Sequence, residues 1–378
     1  MKKIFKYAML FVSACILSAG LTSCNSDDDD KSGDTSPADL DYSQDYAEQW
    51  ANYMVTVSGL LKDDAKKLYD EWNNRYAAIF KSHNSTEYKS AINCVEQIID
   101  GCIDIANEVG DTKIGDPYNK WTAGKTTQAL YAVESWYSWH SRDDYRNNIF
   151  SIRNAYYGSL DGTVNANSLS AVLAKKNPAL DTEAKNLIQA TADSIYAIPQ
   201  PFRNNINCPE TVAAMNACAE LVDFMENRLK PYFTENINDN ETLDPVVTQF
   251  VDGVVMPTYK DLKEKNEKLD NAVRTFKSNP TNANMIACSL AWLEARAPWE
   301  SSEAFLFGPV DELGLDPNMD SWPLDQAQIV QILKSQDFKN LNWSEGESDG
   351  KIEAAQSLRG FHTLEYLIFK DGKARTVE

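Results

Sequence analysis

The sequence predicts an all-α protein of two packed helical-bundle domains, four-helix-bundle-like, with minor or no sheet. Three observations predict it. From residue 43 onward apolar residues recur at threes and fours, as in Tyr46, Trp50, Tyr53, Met54, Val57 and Leu61. Strict two-residue alternation, the mark of a half-buried strand, is almost absent. Long helical patterns are joined by short clusters of turn-formers, and such an order reads as bundles.

The chain opens MKKIFKYAMLFVSACILSAGLTSC: lysines at 2, 3 and 6, an apolar run, then small residues. That order is a secretory signal peptide over 1–23 and not a span. Its ending, LTSC at 21–24, resembles the lipobox of bacterial lipoproteins, which implies cleavage before Cys24 and acylation of Cys24. Acyl chains anchor a protein to a membrane without crossing it, and no later apolar run reaches spanning length. Residues 24–42 read as an acidic disordered tether. A serine followed by aspartates just after the cysteine resembles the surface-export signal of Bacteroidetes lipoproteins. It implies an outer membrane lipoprotein of a Gram-negative bacterium, at the cell surface or else facing the periplasm.

The formal net charge is −20, and loss of residues 1–23 removes three lysines and no acids, giving −23. A chain this acidic is repelled by nucleic acid and by anionic lipid, and attracts cations diffusely. The mature length of about 355 residues allows two domains with full cores. Turn-formers and charge in NINDNETL, 236–243, place the boundary there, giving domains 43–240 and 241–378. Helices are expected over 86–109, 118–139, 143–157, 181–197, 208–234, 244–276, 282–306, 324–335 and 350–369. Asp181 and Asn207 read as N-caps, and Pro209 suits a helix start. The stretches 158–180, 198–207 and 308–323 look least helical. Beyond Cys15 and Cys24 five cysteines remain, so at least one thiol is unpaired. Cys94 and Cys102, eight apart on one helix, read as core residues.

Three segments put polar groups on apolar helix faces. In GFHTLEYLIF, 360–369, a helix gathers Leu358, Phe361, Ile368 and Phe369 on an arc of roughly 100°. Glu365 falls within that arc and His362 at its edge, so a charge there must be paired, neutralised or coordinated. In AWLEARAPWESSEAFLFG, 291–308, a helix continued through Pro298 aligns Trp292, Arg296, Trp299 and Glu303, and Arg296 could pair with Glu303. In VESWYSWHSRDDYRNNIFSIRNAYYGS, 133–159, Glu134 and Ser138 share a face at i, i+4. Buried His–Glu and Arg–Glu pairs also serve simply to fix packing register, and spacing alone leaves that alternative open.

The usual catalytic patterns are missing. H-E-x-x-H does not occur, and Tyr366 stands where the inverted H-x-x-E-H signature needs its second histidine. The chain has three histidines, His83, His140 and His362, and no Glu-x-x-His pair of the kind a di-iron bundle uses. A metal held here would take one imidazole plus carboxylates and water, a hard site suited to iron, zinc or manganese.

With these residues in view, the chain resembles the imelysin family of bacterial helical lipoproteins and periplasmic proteins. Its G-x-H-x-x-E signature is matched by Gly360, His362 and Glu365. Its W-L-x-A-R-x-P-aromatic segment leading to E-A-F-x-F-G is matched by 292–308, and WPLD at 322–325 fits the family's next segment. The family's later half is resembled by 134–159 and 168–181, which here come first, so the resemblance implies a circular permutation that brings Tyr46 near the end of the 350–369 helix. It also implies two helical bundles with the signature near their interface, and a part in iron acquisition, with iron-uptake machinery as a partner. Some members are classed as metallopeptidases; the missing second histidine argues for a binding protein instead. The resemblance makes His362 and Glu365 the expected ligands of iron or an iron-bearing compound. Gly360, Arg296, Glu303, Trp292, Glu134 and Ser138 complete the expected site. Two alternatives remain: a metallopeptidase using His362 and Glu365 with a further carboxylate, and an interaction module with a structural His–Glu pair.

Cys24→Ser is expected to move the protein from the membrane fraction to the soluble one. Neutralising Asp27 to Asp30 should leave it lipidated but lower its protease accessibility on intact cells. Unchanged accessibility would reduce those aspartates to a spacer.

Overall fold

Two rings of four helices carry the structure, a computed structural model that describes residues 47–343 and 347–377. The expected signal peptide, the expected lipid site Cys24, the expected tether and Tyr46 lie outside the described residues. In the first ring, the apolar stripe of Ala47–Glu71 (Trp50, Tyr53, Met54, Val57, Leu61 and Leu68) packs against Met256–Ser278. Met256–Ser278 packs in turn on Asn282–Glu300, and Gly360–Ile368 closes the ring between Asn282–Glu300 and Ala47–Glu71. In the second ring, Ala91–Asn107, Ser141–Tyr157, Pro178–Tyr196 and Pro209–Phe224 pack cyclically around Ile99, Ile152, Ile188 and Leu221. Sheet is confined, among the described residues, to one antiparallel pair, Phe369–Lys370 with Lys373–Ala374.

The rings do not follow the chain division expected at 240. Ala47–Glu71 lies N-terminal to that point yet packs with helices beyond it, and the described residues all fall in one compact unit. Trp50 stacks on Tyr366 with centroids 6.4 Å apart, and the Tyr53 hydroxyl donates to the Leu358 carbonyl at 2.7 Å. The first and last described helices are therefore neighbours. No helix among the described residues is long and apolar enough to cross a membrane. Cys94, Cys102, Cys218 and Cys288 are buried free thiols, and Cys208 is half-buried.

Several expected helices break where local chemistry intervenes. The 118–139 span divides into Gly115–Thr122 and Thr126–Ala132, with Gly124 at φ +78 between them. Residues 133–140 form turns, with Ser135 and Trp139 in left-handed backbone at φ 53 and φ 60, so Glu134 and Ser138 do not share a helix face. The 158–180 stretch contains more helix than expected: Ser168 caps Leu169–Lys176 through the Ala171 amide at 3.0 Å. Asn177, immediately before Pro178, caps the next helix through the Leu180 amide. Asp181 is hence not a cap but a buried acceptor for the Tyr156 and Ser170 hydroxyls at 2.9 and 2.7 Å. Asn207 likewise does not cap: the helix starts at Pro209, flanked by Cys208. The 350–369 span breaks between Asp349–Gln356 and Gly360–Ile368, because Gly360 takes φ +86. Every residue from Gly360 to Ile368 is buried, so the expected one-sided arc is a helix enclosed all round.

Four π-helical segments interrupt the described long helices, at Trp72–Tyr76, Glu108–Ile114, Met225–Leu229 and Val251–Val255. The second extends Ala91–Asn107 and turns Lys113 inward. The short turn Glu303–Phe305 packs on Ala91–Asn107 at Gly101, where a Cβ would stand 2.2 Å from the Ala304 carbonyl oxygen. Alanine is the better helix former by ~1 kcal/mol, so the contact and the propensity oppose each other. We expect Gly101→Ala to destabilise by ~1–3 kcal/mol, the usual range for overpacking a tight contact, measured by urea unfolding. A gain in stability would mean the turn yields freely.

Candidate functional site

Gly360 is the residue that lets the site assemble. A Cβ there would lie 2.4 Å from the Met319 carbonyl oxygen, and only glycine accepts both that approach and φ +86. The helix bearing His362 is thereby seated against the segment bearing Asp320. His362 is wholly buried, and its Nε2 stands 3.0 Å from Glu134 Oε1 and 3.1 Å from Asp320 Oδ1. On its other side Nδ1 donates to Glu365 Oε2 at 3.0 Å. Glu365 is fixed in turn: its Oε1 accepts from the Ser138 amide at 2.8 Å and the Ser138 hydroxyl at 2.7 Å.

Behind these groups sits Arg296, 0% exposed. Its guanidinium meets Glu300 Oε1 at 2.6 Å, Glu134 Oε1 at 3.3 Å and Asp144 Oδ2 at 3.5 Å, and it also pairs with Asp320. Asp144 accepts from the Ser135 hydroxyl at 2.6 Å, and Glu300 from the Asn148 amide at 2.6 Å. The second oxygen of Asp320 accepts from Trp299 Nε1 at 2.7 Å. Lys113 completes the cluster, 3.3 Å from Glu134 Oε2 and 3.7 Å from Glu303 Oε1. Both rings contribute: Asp144 and Asn148 lie on Ser141–Tyr157, Arg296 and Glu300 on Asn282–Glu300.

Carboxylates outnumber cations here, and that sorts the groups. Burial opposes ionisation of Glu134, but Lys113 and His362 hold its carboxyl down at about 2. Burial opposes ionisation of Asp320 too, yet Arg296 and His362 keep it well below the usual carboxylate range. Burial and Arg296 oppose protonation of His362, but Asp320 and Glu134 outweigh them and hold it well above 6.5. Burial works against the Lys113 charge, and Glu134, Glu303 and Glu300 more than restore it. Burial, reinforced by Asp144 and opposed by Arg296, pushes Glu300 up to about 8. Burial also raises Glu303 and Asp144.

His362, Glu365, Gly360, Arg296, Glu134 and Ser138 are brought together as the sequence suggested, though not by the expected routes. Arg296 does not pair with Glu303, because the helix stops at Glu300 and the turn after it delivers Glu303 to Lys113. Trp292 donates from Nε1 to the Phe361 carbonyl at 2.9 Å, bracing the His362 helix. Both oxygens of Glu365 are engaged by His362 and Ser138, so Glu134 and Asp320, not Glu365, share the Nε2 side of the histidine. Sequence reasoning missed Asp320, Asp144, Glu300 and Lys113. A buried charge on an amphipathic helix was the signal sought, and Asp320 lies at the end of the short Leu315–Asp320 helix and Lys113 in a π-helical turn, where that pattern has no meaning.

The donor set fits a hard divalent cation. His362, Glu134 and Asp320 each offer a ligand atom within 4.8 Å of the other two. Metal–ligand bonds of ~2.1 Å at right angles put adjacent ligand atoms ~3 Å apart, and the histidine lies 3.0 and 3.1 Å from the two carboxylate oxygens. The Nδ1–Glu365 bond leaves Nε2 as the nitrogen that a cation would take, by displacing the proton it shares with Glu134 and Asp320 beside the Arg296 guanidinium 3.4 Å away.

A sequence model of the imelysin family (peptidase family M75) matches residues 26–226 and 255–378. The crystal structure of an imelysin peptidase from Bacteroides ovatus superposes with a TM-score of 0.90 at 59% identity, over 91% of this chain and 100% of that one. Iron-regulated protein A of Synechococcus elongatus is 35% identical over 136 residues, 36% of this chain and 33% of that protein. The chain thus aligns with only a third of that curated relative's length.

A pH dependence follows from the buried acids. Glu300 titrates near 4.5 when unfolded and at about 8 when folded, so between those values the folded state binds more protons and stability falls as pH rises. Stability due to His362 is likewise present below about 6.5 and lost as pH rises through its folded value. That due to Glu134 is lost as pH falls from 4.5 through about 2. We expect the melting temperature of the apo protein to peak at mildly acidic pH, and Glu300→Gln to flatten the decline up to about 8. An unchanged slope in that variant would remove Glu300 as its source.

Proposed function

This chain belongs to the imelysin family, and from that premise we propose that it is a lipid-anchored protein of bacterial iron uptake that holds iron, or another divalent cation, between its two helical rings. The observation that carries the reading is the convergence of His362 Nε2, Glu134 Oε1 and Asp320 Oδ1 from three separate segments. One imidazole with two carboxylates suits iron, manganese or zinc, and carboxylate donors favour the harder members of that set. The name of the cyanobacterial relative, iron-regulated protein A, supports iron as the cargo. The lipobox-like LTSC ending at Cys24 and the aspartates after it support attachment to the outer membrane and display at the cell surface, where uptake machinery would be the partner. The permuted order of family segments belongs to the same reading, supported by the Trp50–Tyr366 stack that makes the first and last described helices neighbours.

Binding is favoured over peptide hydrolysis by Tyr366. It stands where the inverted zinc-peptidase signature has its second histidine ligand, and its ring packs between Trp50 and Tyr137, with centroids at 6.4 and 5.2 Å. Glu365, bonded to His362 through one oxygen and to Ser138 through the other, is placed to orient His362.

Anaerobic calorimetric titration of the full chain with Fe2+ tests the reading. One ion per chain is expected, and His362→Gln or Asp320→Asn should abolish binding. Glu365→Gln should weaken it ~10–100-fold, the usual cost of losing a histidine's orienting partner. Absence of binding by the unaltered chain at submillimolar Fe2+ would sink the proposal.

A further inference from the structure

Lys113 is held in an unusual way. It is 7% exposed, and its ammonium lies 3.3 Å from Glu134 Oε2, 3.7 Å from Glu303 Oε1 and 4.0 Å from Glu108 Oε1. Charge-assisted hydrogen bonds run at ~2.7–2.9 Å, and all three contacts are longer. The ammonium therefore fills a carboxylate cage without closing tight bonds to any wall of it. Arg296 behaves differently: its rigid fork is pinned among Glu134, Asp144, Glu300 and Asp320 and has nowhere to go.

The backbone under Lys113 is fixed. Glu108–Ile114 is π-helical, a form that recurs at functional sites. Gly110 in it approaches Cys218 so closely that a Cβ would stand 2.8 Å from the Cys218 Cβ. Motion is left to the flexible lysine stem. One of its three carboxylates, Glu108, is 51% exposed in its side chain, whereas Glu134 and Glu303 are buried, so the cage has a wet side. Glu134 links the cage to the candidate cation site, with Oε2 facing Lys113 and Oε1 facing His362.

We propose that Lys113 is a tethered counter-cation: its ammonium occupies the Glu134–Glu303 cage beside His362, swings toward Glu108 when a divalent cation enters, and thereby sets the affinity of the site. The proposal rests on the reading of His362, Glu134 and Asp320 as cation ligands. Lys113 is a specificity-determining residue in this scheme and does not coordinate the metal.

Glu134 stands between Lys113 and the cation position, and even in water-like surroundings a unit charge ~6 Å from a divalent ion changes affinity about tenfold. Calorimetric titration with Mn2+ at neutral pH, on the full chain, supplies the test. Lys113→Met should bind Mn2+ at least tenfold more tightly than the unaltered chain, and Lys113→Arg should stay near the unaltered affinity. A lysine that served only the fold would give the opposite, a less stable methionine variant with equal or weaker binding. If the unaltered chain binds Mn2+ and Lys113→Met binds no better, the counter-cation falls and the site stands. If neither binds, both fall. A second measurement needs no variant: acetic anhydride labelling of Lys113, read by mass spectrometry, should increase when Mn2+ saturates the unaltered chain. Unchanged labelling at saturation would overturn the swing even if the methionine variant fails to fold.

Discussion

A guanidinium with no access to water governs this molecule. Stripping Arg296 of its hydration costs several kcal/mol unless carboxylates replace the water, and they come from every direction. Glu300 lies one turn along its own helix, Asp144 on a helix of the other ring, and Glu134 and Asp320 outside the eight ring helices. Those acids then need partners of their own, which Ser135, Asn148, Trp299, Lys113 and His362 supply. The polar core arises from one buried cation, and the packing of Asn282–Glu300 on Ser141–Tyr157 is the geometry that satisfies it.

The same network explains why the histidine is so constrained. Nδ1 is committed to Glu365, which is itself clamped by the amide and hydroxyl of Ser138. Nε2 faces two carboxylates held ionised by Arg296 and Lys113. A histidine so placed keeps its proton well above the usual imidazole range. The short stretch from Gly360 to Glu365 sets this whole arrangement.

The all-helical class was legible because long amphipathic stripes such as Ala47–Glu71 carry a strong 3.6-residue signal. The breaks were not. Ser135 and Trp139 adopt left-handed backbone without being glycine, and no local preference marks them out. Nor does periodicity show which ring a helix joins: Ala47–Glu71 pairs with a helix some two hundred residues away, a choice made by complementary surfaces. His362 and Glu365 could be found because a charge on an apolar stripe stands out. Asp320 and Lys113 could not, since each becomes part of the site only through the position of its neighbours.

The clamp between Ser138 and Glu365 joins residues 227 apart in the chain, and the contact of His362 with Glu134 joins residues 228 apart. Loop closure over such separations is unfavourable until most of the intervening chain is already in place. The pocket of charge is thus a late product of folding, with no counterpart in a half-formed chain. Any cation that recognises it binds the finished molecule alone and draws the folding equilibrium toward itself by mass action. Such coupling makes the melting temperature of the folded chain depend on the concentration of whatever cation the pocket accepts.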